Sequence, residues 1–232
     1  MFYLIGLGLD LESHGEDVKE IVSQADKVYL ENYTVEFPYD IKKLENQLGR
    51  EIVPAGREFV ETFKVLEGAG DKDTVLLVYG SPLTATTHIS LIQEAKEKNI
   101  DYKVIYNASI LDAVAETGLQ LYKFGKIASM PGFEADSYVD IVKENFSINA
   151  HTLILVDIGM SFKDALEKLE KDLQNKDQEV GKILICSRLG AEKSQIFYDD
   201  LDSLRGKVIA EPFCFIIPGR LHFLEEEFLE QL

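Results

Sequence analysis

Residues 74–88 have the sequence TVLLVYGSPLTATTH, in which an apolar run is followed by glycine, proline and several hydroxyl side chains. The run has the length of a fully buried strand, and a helical pattern begins shortly after it. Because ligands of open α/β sheets bind beyond the carboxyl ends of the strands, this stretch predicts a small-molecule site near Ser81 and Thr84. Helix capping by Thr86 or Thr87 is the simpler interpretation, but it would use one hydroxyl and leave the others unexplained.

Strand and helix patterns alternate through the first half of the chain. Such alternation predicts a mainly parallel sheet covered by helices. Gly118 is expected to end the last of these helices, as glycine commonly does. The predicted strands are residues 2–8, 27–31, 74–79 and 102–106, and the predicted helices are residues 16–24, 41–48, 57–66, 86–98 and 110–117.

The second half is also α/β, but its elements are less regularly spaced. We expect two domains, residues 1–120 and 121–232, that meet near residues 122–125. Ser161 and Asp164 have the spacing of a capping box. The helix that they open carries an apolar stripe expected to pack in the core, at Phe162, Leu166, Leu169 and Leu173. The other predicted elements are strands at residues 152–157, 182–187 and 208–217 and a terminal helix at residues 222–230.

Composition and charge exclude several classes of protein. A net charge of −17 disfavours a general nucleic-acid binder, which needs a basic face, but it would attract a basic protein partner. No apolar run approaches the ~20 residues of a membrane span, and the N-terminus lacks the basic lead of a signal peptide. Cys186 and Cys214 lie in separate apolar runs without a Cys-x-x-Cys motif. We therefore expect no zinc site and two buried thiols in a cytoplasmic protein.

Two further strand ends carry small or polar residues. Residues 6–8 read GLG, but Leu11 stands where the dinucleotide-binding fingerprint has its third glycine, so a tight turn is the simpler interpretation. Residues 107–110 read NASI, in which Ser109 is either a helix cap or a ligand-binding residue. Strand ends of one sheet can line a common crevice, which favours a small-molecule site.

These segments resemble those of diphthine synthases, and they occur in the same order. The combination of Glu-x-Tyr-Thr at residues 31–34, Ala-Thr-Thr-His at residues 85–88 and Tyr-Lys-Phe-Gly at residues 122–125 is specific. The likeness extends over essentially the whole chain. The matching segments are residues 1–9, 30–34, 80–88, 108–110, 118–125, 151–158 and 217–222.

The resemblance implies an α/β protein of the class III, tetrapyrrole-methylase-like fold, with two α/β domains and the cofactor in the cleft between them. It implies a homodimeric, cytoplasmic methyltransferase with no membrane and no direct nucleic-acid contact. The expected reaction moves methyl groups from S-adenosyl-L-methionine to the amino group of a modified histidine of elongation factor 2, in diphthamide biosynthesis. S-adenosyl-L-homocysteine is the expected by-product. The family's cofactor-binding positions match Leu9, Ser81, Thr84, Ser109, Ile110, Val156, Leu189 and Phe213.

Three departures from the family pattern bear on binding. Gly-Ser-Pro at residues 80–82 replaces Gly-Asp-Pro, so Ser81 can form hydrogen bonds but supplies no carboxylate. Residues 129–138 form a shorter segment without the family's aromatic-rich loop, and the connection after residue 158 is abbreviated. The shortened segments bear on substrate recognition more than on cofactor binding.

The sequence names no catalytic residue. An amine that attacks a sulfonium methyl group needs alignment more than a dedicated side chain. Glu31, Asp157 and His222 are candidate bases by type, but strand-end capping explains the first two and a helix start explains the third. Two alternatives stay open: a methyltransferase of the same fold acting on a tetrapyrrole or RNA, and a degenerate relative that binds a cofactor or partner without turnover.

Overall fold

The computed structural model describes residues 1–232 and divides into two compact units, Met1–Ile110 and Leu111–Leu232. Each unit contains its own five-stranded sheet, which confirms the prediction of two α/β domains. The boundary predicted between residues 120 and 121 lies inside the second unit, where the backbone N–H of Gln120 donates to Glu225. The domain bounds 1–120 and 121–232 stay a prediction.

The first unit alternates strands and helices as the sequence predicts. Its elements are β1 (Phe2–Gly6), α1 (Glu16–Gln24), β2 (Lys27–Glu31), α2 (Ile41–Leu48), β3 (Val53–Ala55), α3 (Arg57–Glu61), a 3-10 turn (Lys64–Leu66), β4 (Thr74–Val78), α4 (Ile89–Glu97) and β5 (Tyr102–Ile105). The strands pair in the order β3-β2-β4-β1-β5, and every pair is parallel. The carboxyl ends of all these strands therefore lie at one edge of the sheet.

The central strand β4 is buried along its whole length. Its alternating side chains serve two cores: Leu76 and Val78 pack with residues of α3 and α4, and Val75 and Leu77 pack with residues of α1 and α2. This accounts for the unbroken apolar run in the sequence, since a strand covered on both faces needs apolar side chains on both.

Three details of the first unit differ from the sequence predictions. The helix predicted over residues 57–66 ends at Glu61, because Phe63 has a left-handed φ of 62° that a right-handed helix cannot accommodate. The helix predicted from residue 86 begins only at Ile89. Strand β3 was not predicted, because it is short and contains Pro54, which a sheet tolerates at its edge.

The second unit has a mixed sheet. Helix α5 (Ile110–Ala113) begins at the last residue of the first unit and is followed by 3-10 turns at Val114–Thr117 and Leu121–Lys123. The further elements are β6 (Ala128–Met130), α6 (Ser137–Ser147), β7 (Thr152–Val156), α7 (Phe162–Asn175), β8 (Ile183–Ser187), β9 (Gln195–Asp199), α8 (Leu201–Leu204), β10 (Phe213–Ile217) and α9 (Phe223–Leu229). The strand order is β6-β7-β10-β8-β9, in which only β6 and β7 are parallel.

Two predictions for α7 are confirmed: the helix begins with a Ser161 cap, and its apolar stripe packs in the core. Ser161 accepts a hydrogen bond from the backbone N–H of Asp164 at 3.2 Å. The stripe is buried in the core of the second unit, at Phe162, Leu166, Leu169 and Leu173. Cys186 and Cys214 are free, buried and opposite one another on β8 and β10.

Other predictions for the second unit need correction. The strand predicted over residues 208–217 begins at Phe213, because Pro212 has no N–H for a ladder hydrogen bond. The helix predicted over residues 110–117 is α-helical only to Ala113, although Gly118 ends it in a left-handed conformation as expected.

None of the helices has the length and apolar character that a membrane span needs. The structure also contains no group of three His, Cys, Asp or Glu side chains that could hold a metal ion.

Candidate functional site

The loops that follow β1 and β4 are locked together at the carboxyl edge of the first sheet. The N–H of Gly8 donates to the carbonyl of Gly80 at 3.1 Å, and the N–H of Gly80 donates back to Gly8 at 2.9 Å. Both glycines have positive φ, 76° and 70°, a conformation that other residues adopt only with strain. The tight turn predicted at residues 6–8 is therefore wrong: Gly6 ends β1, Leu7 still donates to the carbonyl of Val78 at 2.8 Å, and the turn follows at residues 10–13. The bridge between the two glycines fixes the backbone next to Leu9 and Ser81.

The loop after β5 joins them through Asn107. Its side-chain amide donates to the carbonyls of Gly6 at 3.3 Å and Ser13 at 3.1 Å, and its oxygen accepts the N–H of Ala108 at 2.8 Å. A Cβ on Gly80 would lie 3.7 Å from the Cα of Ser109 and 3.9 Å from Cδ2 of Leu9. The structure therefore brings Leu9, Ser81 and Ser109 together. Thr84 is tied to Ser81 by its N–H, which donates to the Ser81 carbonyl at 3.2 Å, and Ile110 follows Ser109 in the chain.

The hydroxyl groups of Ser81 and Thr84 form no hydrogen bond with the protein, although Ser81 is only 8% exposed. The hydroxyl of Ser81 keeps access to solvent, so a polar ligand can reach it and supply a hydrogen-bond partner. Thr86, in contrast, donates to the carbonyl of Pro82 at 2.9 Å. The loop's hydroxyls are thus divided between structure and two groups that fit a polar cofactor.

The predicted residues of the second unit also share one sheet edge. Val156 is the last residue of β7, Phe213 is the first of the antiparallel strand β10, and Leu189 follows the end of β8. The register confirms the alignment, since Cys214 pairs with Leu155 and Phe213 with Ser187. That these residues and those of the first unit hold one cofactor stays a prediction.

Both carboxylate oxygens of Glu31, a candidate base, accept hydrogen bonds from the loop that follows it. It is 1% exposed, and one carboxylate oxygen accepts the N–H groups of Tyr33 at 2.7 Å and Thr34 at 2.9 Å. The other oxygen accepts the hydroxyl of Thr34 at 2.6 Å. This is the strand-end capping that the sequence offered as the simpler interpretation.

Asp157 and His222 also have structural partners. The carboxylate of Asp157 accepts the N–H groups of Gly132 at 3.1 Å and Ile158 at 3.0 Å, so it joins two loops. His222 is the N-cap of α9, where its Nδ1 accepts the N–H of Leu224 at 3.3 Å. The three candidate bases are therefore explained by local structure.

Glu225 has four polar partners, and no pattern in the sequence singled it out. Its fully buried carboxylate accepts hydrogen bonds from the N–H of Gln120 at 2.9 Å and the N–H of His222 at 2.7 Å. It also pairs with the ammonium of Lys123 and with Nε2 of the buried His151, 3.1 Å away. These partners come from three of the segments that resemble diphthine synthases, so three segments far apart in the sequence meet at one buried carboxylate.

Comparison with known proteins places the chain in a family. The family described as Tetrapyrrole (Corrin/Porphyrin) Methylases matches residues 1–205. A diphthine synthase of Methanococcus aeolicus is 36% identical, over 100% of this chain and 98% of the relative. The chain belongs to the diphthine synthase family. The predicted fold class and the resemblance are thereby confirmed.

Other members of the diphthine synthase family agree with this. The diphthine methyl ester synthase of Schizosaccharomyces pombe is 35% identical, over 99% of this chain and 93% of the relative. A crystal structure of a diphthine synthase superposes on this chain with a TM-score of 0.91 at 32% sequence identity. The superposition covers 100% of this chain and 95% of the diphthine synthase chain. The similarity includes both units, so neither has been lost or replaced.

Proposed function

We propose that this chain transfers methyl groups from S-adenosyl-L-methionine to the amino group of the modified histidine of elongation factor 2, in diphthamide biosynthesis. The supporting observation is similarity to diphthine synthases over the whole chain. As a member of that family, the chain is a methyltransferase of diphthamide biosynthesis. The sheet edge at Leu9, Ser81 and Ser109 argues against the degenerate alternative, because the backbone bonds between its loops are formed and the hydroxyl of Ser81 is left for a ligand.

In this proposal the protein binds and orients, and the cofactor supplies a methyl group already activated on a sulfonium. Ser81 and Thr84 would hold it with their hydroxyls, and the backbone at Leu9 and Ser109 would hold it with main-chain groups. Leu9 and Ser109 are both 5% exposed, so they would also keep water from the reacting atoms. The second group of cofactor contacts would be Val156, Leu189 and Phe213.

The acceptor amine needs alignment and loss of a proton, and the proposal assigns no dedicated base. Glu31, Asp157 and His222 are each held by backbone N–H groups of their own loops. Holding the amine unprotonated in a dry site is enough for an in-line displacement, because proximity and orientation supply much of the barrier reduction.

We also propose a homodimer that acts in the cytoplasm on elongation factor 2 as its protein partner. The net charge of −17 would steer a basic surface of that partner toward the enzyme. The same charge disfavours RNA as the substrate, since RNA binding requires a basic face.

A methylation assay tests the proposed function. The purified chain, S-adenosyl-L-methionine and elongation factor 2 carrying the modified histidine should give methylated elongation factor 2, detected by mass spectrometry. Elongation factor 2 with an unmodified histidine is the control and should stay unmethylated. Alkaline treatment would remove a methyl ester, the product named for the yeast relative, and leave N-methyl groups. Methylation of RNA or a tetrapyrrole with none on elongation factor 2 would refute the proposal.

Ser81→Asp should tighten binding of the cofactor several-fold. A hydrogen bond to a charged group contributes about 1.5–3 kcal/mol against about 1 kcal/mol for a neutral one, so the carboxylate should add about 1 kcal/mol. Calorimetric titration with S-adenosyl-L-homocysteine measures this. Thr87→Asp is the matched control, because it adds the same charge at an exposed position of the same loop. Equal or weaker binding by Ser81→Asp would mean that Ser81 does not face the cofactor.

A further inference from the structure

His88 is a buried imidazole that joins two loops at the carboxyl edge of the first sheet. It is 1% exposed, and its Nδ1 lies 3.0 Å from the carbonyl oxygen of Pro82. Its Nε2 lies 3.5 Å from the hydroxyl of Tyr33. The ring therefore connects the loop after β4, which carries Ser81 and Thr84, to the turn after β2.

The turn after β2 is a rigid support for this ring. Glu31 fixes the backbone of Tyr33 and Thr34 through their N–H groups. The guanidinium of Arg57 lies 4.9 Å from the centre of the Tyr33 ring, which holds the ring from α3. Tyr33 also packs against the same core cluster as Leu83 of the neighbouring loop.

The protonation of this pair follows from its surroundings. Burial, followed by the negative charges of Glu31 and Glu61, raises the pKa of Tyr33 to about 12, although Arg57 opposes the shift. The carbonyl oxygen of Pro82 can only accept, so Nδ1 of His88 carries the proton that is donated there. In that tautomer Nε2 is an acceptor, and the phenol, which keeps its proton at neutral pH, donates to it.

The carbonyl of Pro82 is the anchor of the loop that carries Ser81 and Thr84. It accepts from Nδ1 of His88 and from the hydroxyl of Thr86 at 2.9 Å. Proline has no N–H, so at this residue the backbone can be held only through the carbonyl. Losing the His88 bond would leave the Pro82 carbonyl held only by Thr86 of the same loop, so the segment between Ser81 and Thr84 would lose its tie to the turn after β2.

We propose that His88 is a positioning residue for cofactor binding, which holds the loop of Ser81 and Thr84 through the Pro82 carbonyl against the turn of Glu31 and Tyr33. This inference rests on the proposed function, because it takes that loop to contact S-adenosyl-L-methionine. It gives the Glu-x-Tyr-Thr and Ala-Thr-Thr-His motifs one joint role that neither has alone.

The test compares two amides at position 88. In His88→Asn the amide nitrogen is as many bonds from Cα as Nδ1, so it can still donate to Pro82. In His88→Gln the amide is farther out, at the distance of Nε2, and the bond to Pro82 is lost. S-adenosyl-L-homocysteine should bind His88→Gln about tenfold more weakly than wild type, the cost of one buried hydrogen bond, and His88→Asn should recover most of that loss.

Kinetics separate positioning from general loss of structure. In His88→Gln the KM for S-adenosyl-L-methionine should rise, while kcat at saturating cofactor and the KM for elongation factor 2 should stay near wild type. Leu48→Ala is the control, because it removes a core side chain of α2 from a cluster on the other face of the sheet that includes no residue of the loop after β4. It should lower the thermal midpoint while cofactor affinity, measured below that midpoint, stays unchanged.

The outcomes distinguish this inference from the proposed function. If the wild type binds no S-adenosyl-L-homocysteine, the proposed function fails. If the wild type binds it and His88→Gln, folded by circular dichroism, binds it equally well, the role of His88 is refuted and the proposed function stands. Equal weakening in His88→Asn and His88→Gln would also overturn the inference, because it depends on the donor at the Nδ1 position.

Discussion

Glu225→Ala is expected to lower the free energy of unfolding by about 3–5 kcal/mol, the usual result of removing one partner from a buried ion pair. The variant leaves the imidazole of His151 and the N–H of Gln120 without their acceptor, and the ammonium of Lys123 loses its counter-charge and keeps only the carbonyl of Arg220. It also removes the reciprocal cap of α9, in which Glu225 accepts the N–H of His222. Urea denaturation at neutral pH, followed by circular dichroism, measures the loss.

The pH dependence of stability should change in the same variant. Burial alone would raise the pKa of Glu225, but hydrogen bonds from the His222 backbone, Lys123, the Gln120 backbone and His151 lower it from 4.5 to about 2. A carboxyl whose pKa is lower in the folded state stabilises above its unfolded pKa. The wild type should therefore lose this contribution as pH falls from about 4.5 toward 2, and Glu225→Ala should lack that part of the acid transition.

His151 adds a second acid-sensitive step. Burial lowers its pKa from 6.5, although Glu225 opposes the shift. Its Nδ1 accepts the N–H of Gly219 at 3.0 Å, so protonation there would break a buried hydrogen bond. The unfolded chain takes up this proton more readily, so stability should begin to fall as pH drops below about 6.5.

Glu226→Ala is the matched control for Glu225→Ala. It removes the same side chain from the next position of α9, where the carboxylate is exposed. Exposed substitutions usually change stability by no more than about 0.5 kcal/mol. If Glu225→Ala unfolded at the same urea concentration as Glu226→Ala, the buried carboxylate would not be a stabilising centre.

The contacts of Glu225 could not be predicted from the sequence, because they join segments that are far apart in the chain. The segments at residues 118–125, 151–158 and 217–222 can be recognised in the sequence, but nothing in their spacing shows that they meet at one carboxylate. Glu225 stands in a run of three glutamates, which reads as a solvated helix face. The one available signal was the spacing of His222 and Glu225, which matches a capping box with histidine in place of serine or threonine.

The fold could be predicted from the sequence where strands pair through the helices that follow them directly in the chain. The β-α alternation of the first half gave a parallel sheet, because each strand there is followed by the helix that returns the chain. In the second unit, β10 pairs with both β7 and β8, which lie far from it in sequence, and its antiparallel pairing has no local signature. The candidate cofactor positions came from the resemblance, and the His88 link could be seen only once the loops were in place.

Gly6→Ala is expected to weaken binding of S-adenosyl-L-homocysteine by about 100-fold, or about 3 kcal/mol. A Cβ on Gly6 would lie 2.5 Å from the carbonyl oxygen of Gly80 and 2.9 Å from Cδ of Pro82. The Gly80 carbonyl cannot move freely, because it accepts the N–H of Gly8. The added methyl group must therefore separate the loop after β4 from β1 and displace Ser81. Overpacking of this kind should also cost about 1–3 kcal/mol of stability.

Gly56→Ala is the control that isolates this effect. Gly56 also follows a strand, β3, at the same edge of the sheet, but a Cβ there would have no atom within 4 Å. Its φ of −75° is allowed for alanine, so both affinity and stability should stay near wild type. Calorimetry on the two variants and the wild type measures the affinities side by side. If folded Gly6→Ala bound S-adenosyl-L-homocysteine as tightly as Gly56→Ala does, the cofactor could not be held by the loops at this edge, and the placement at Leu9, Ser81 and Ser109 would be wrong.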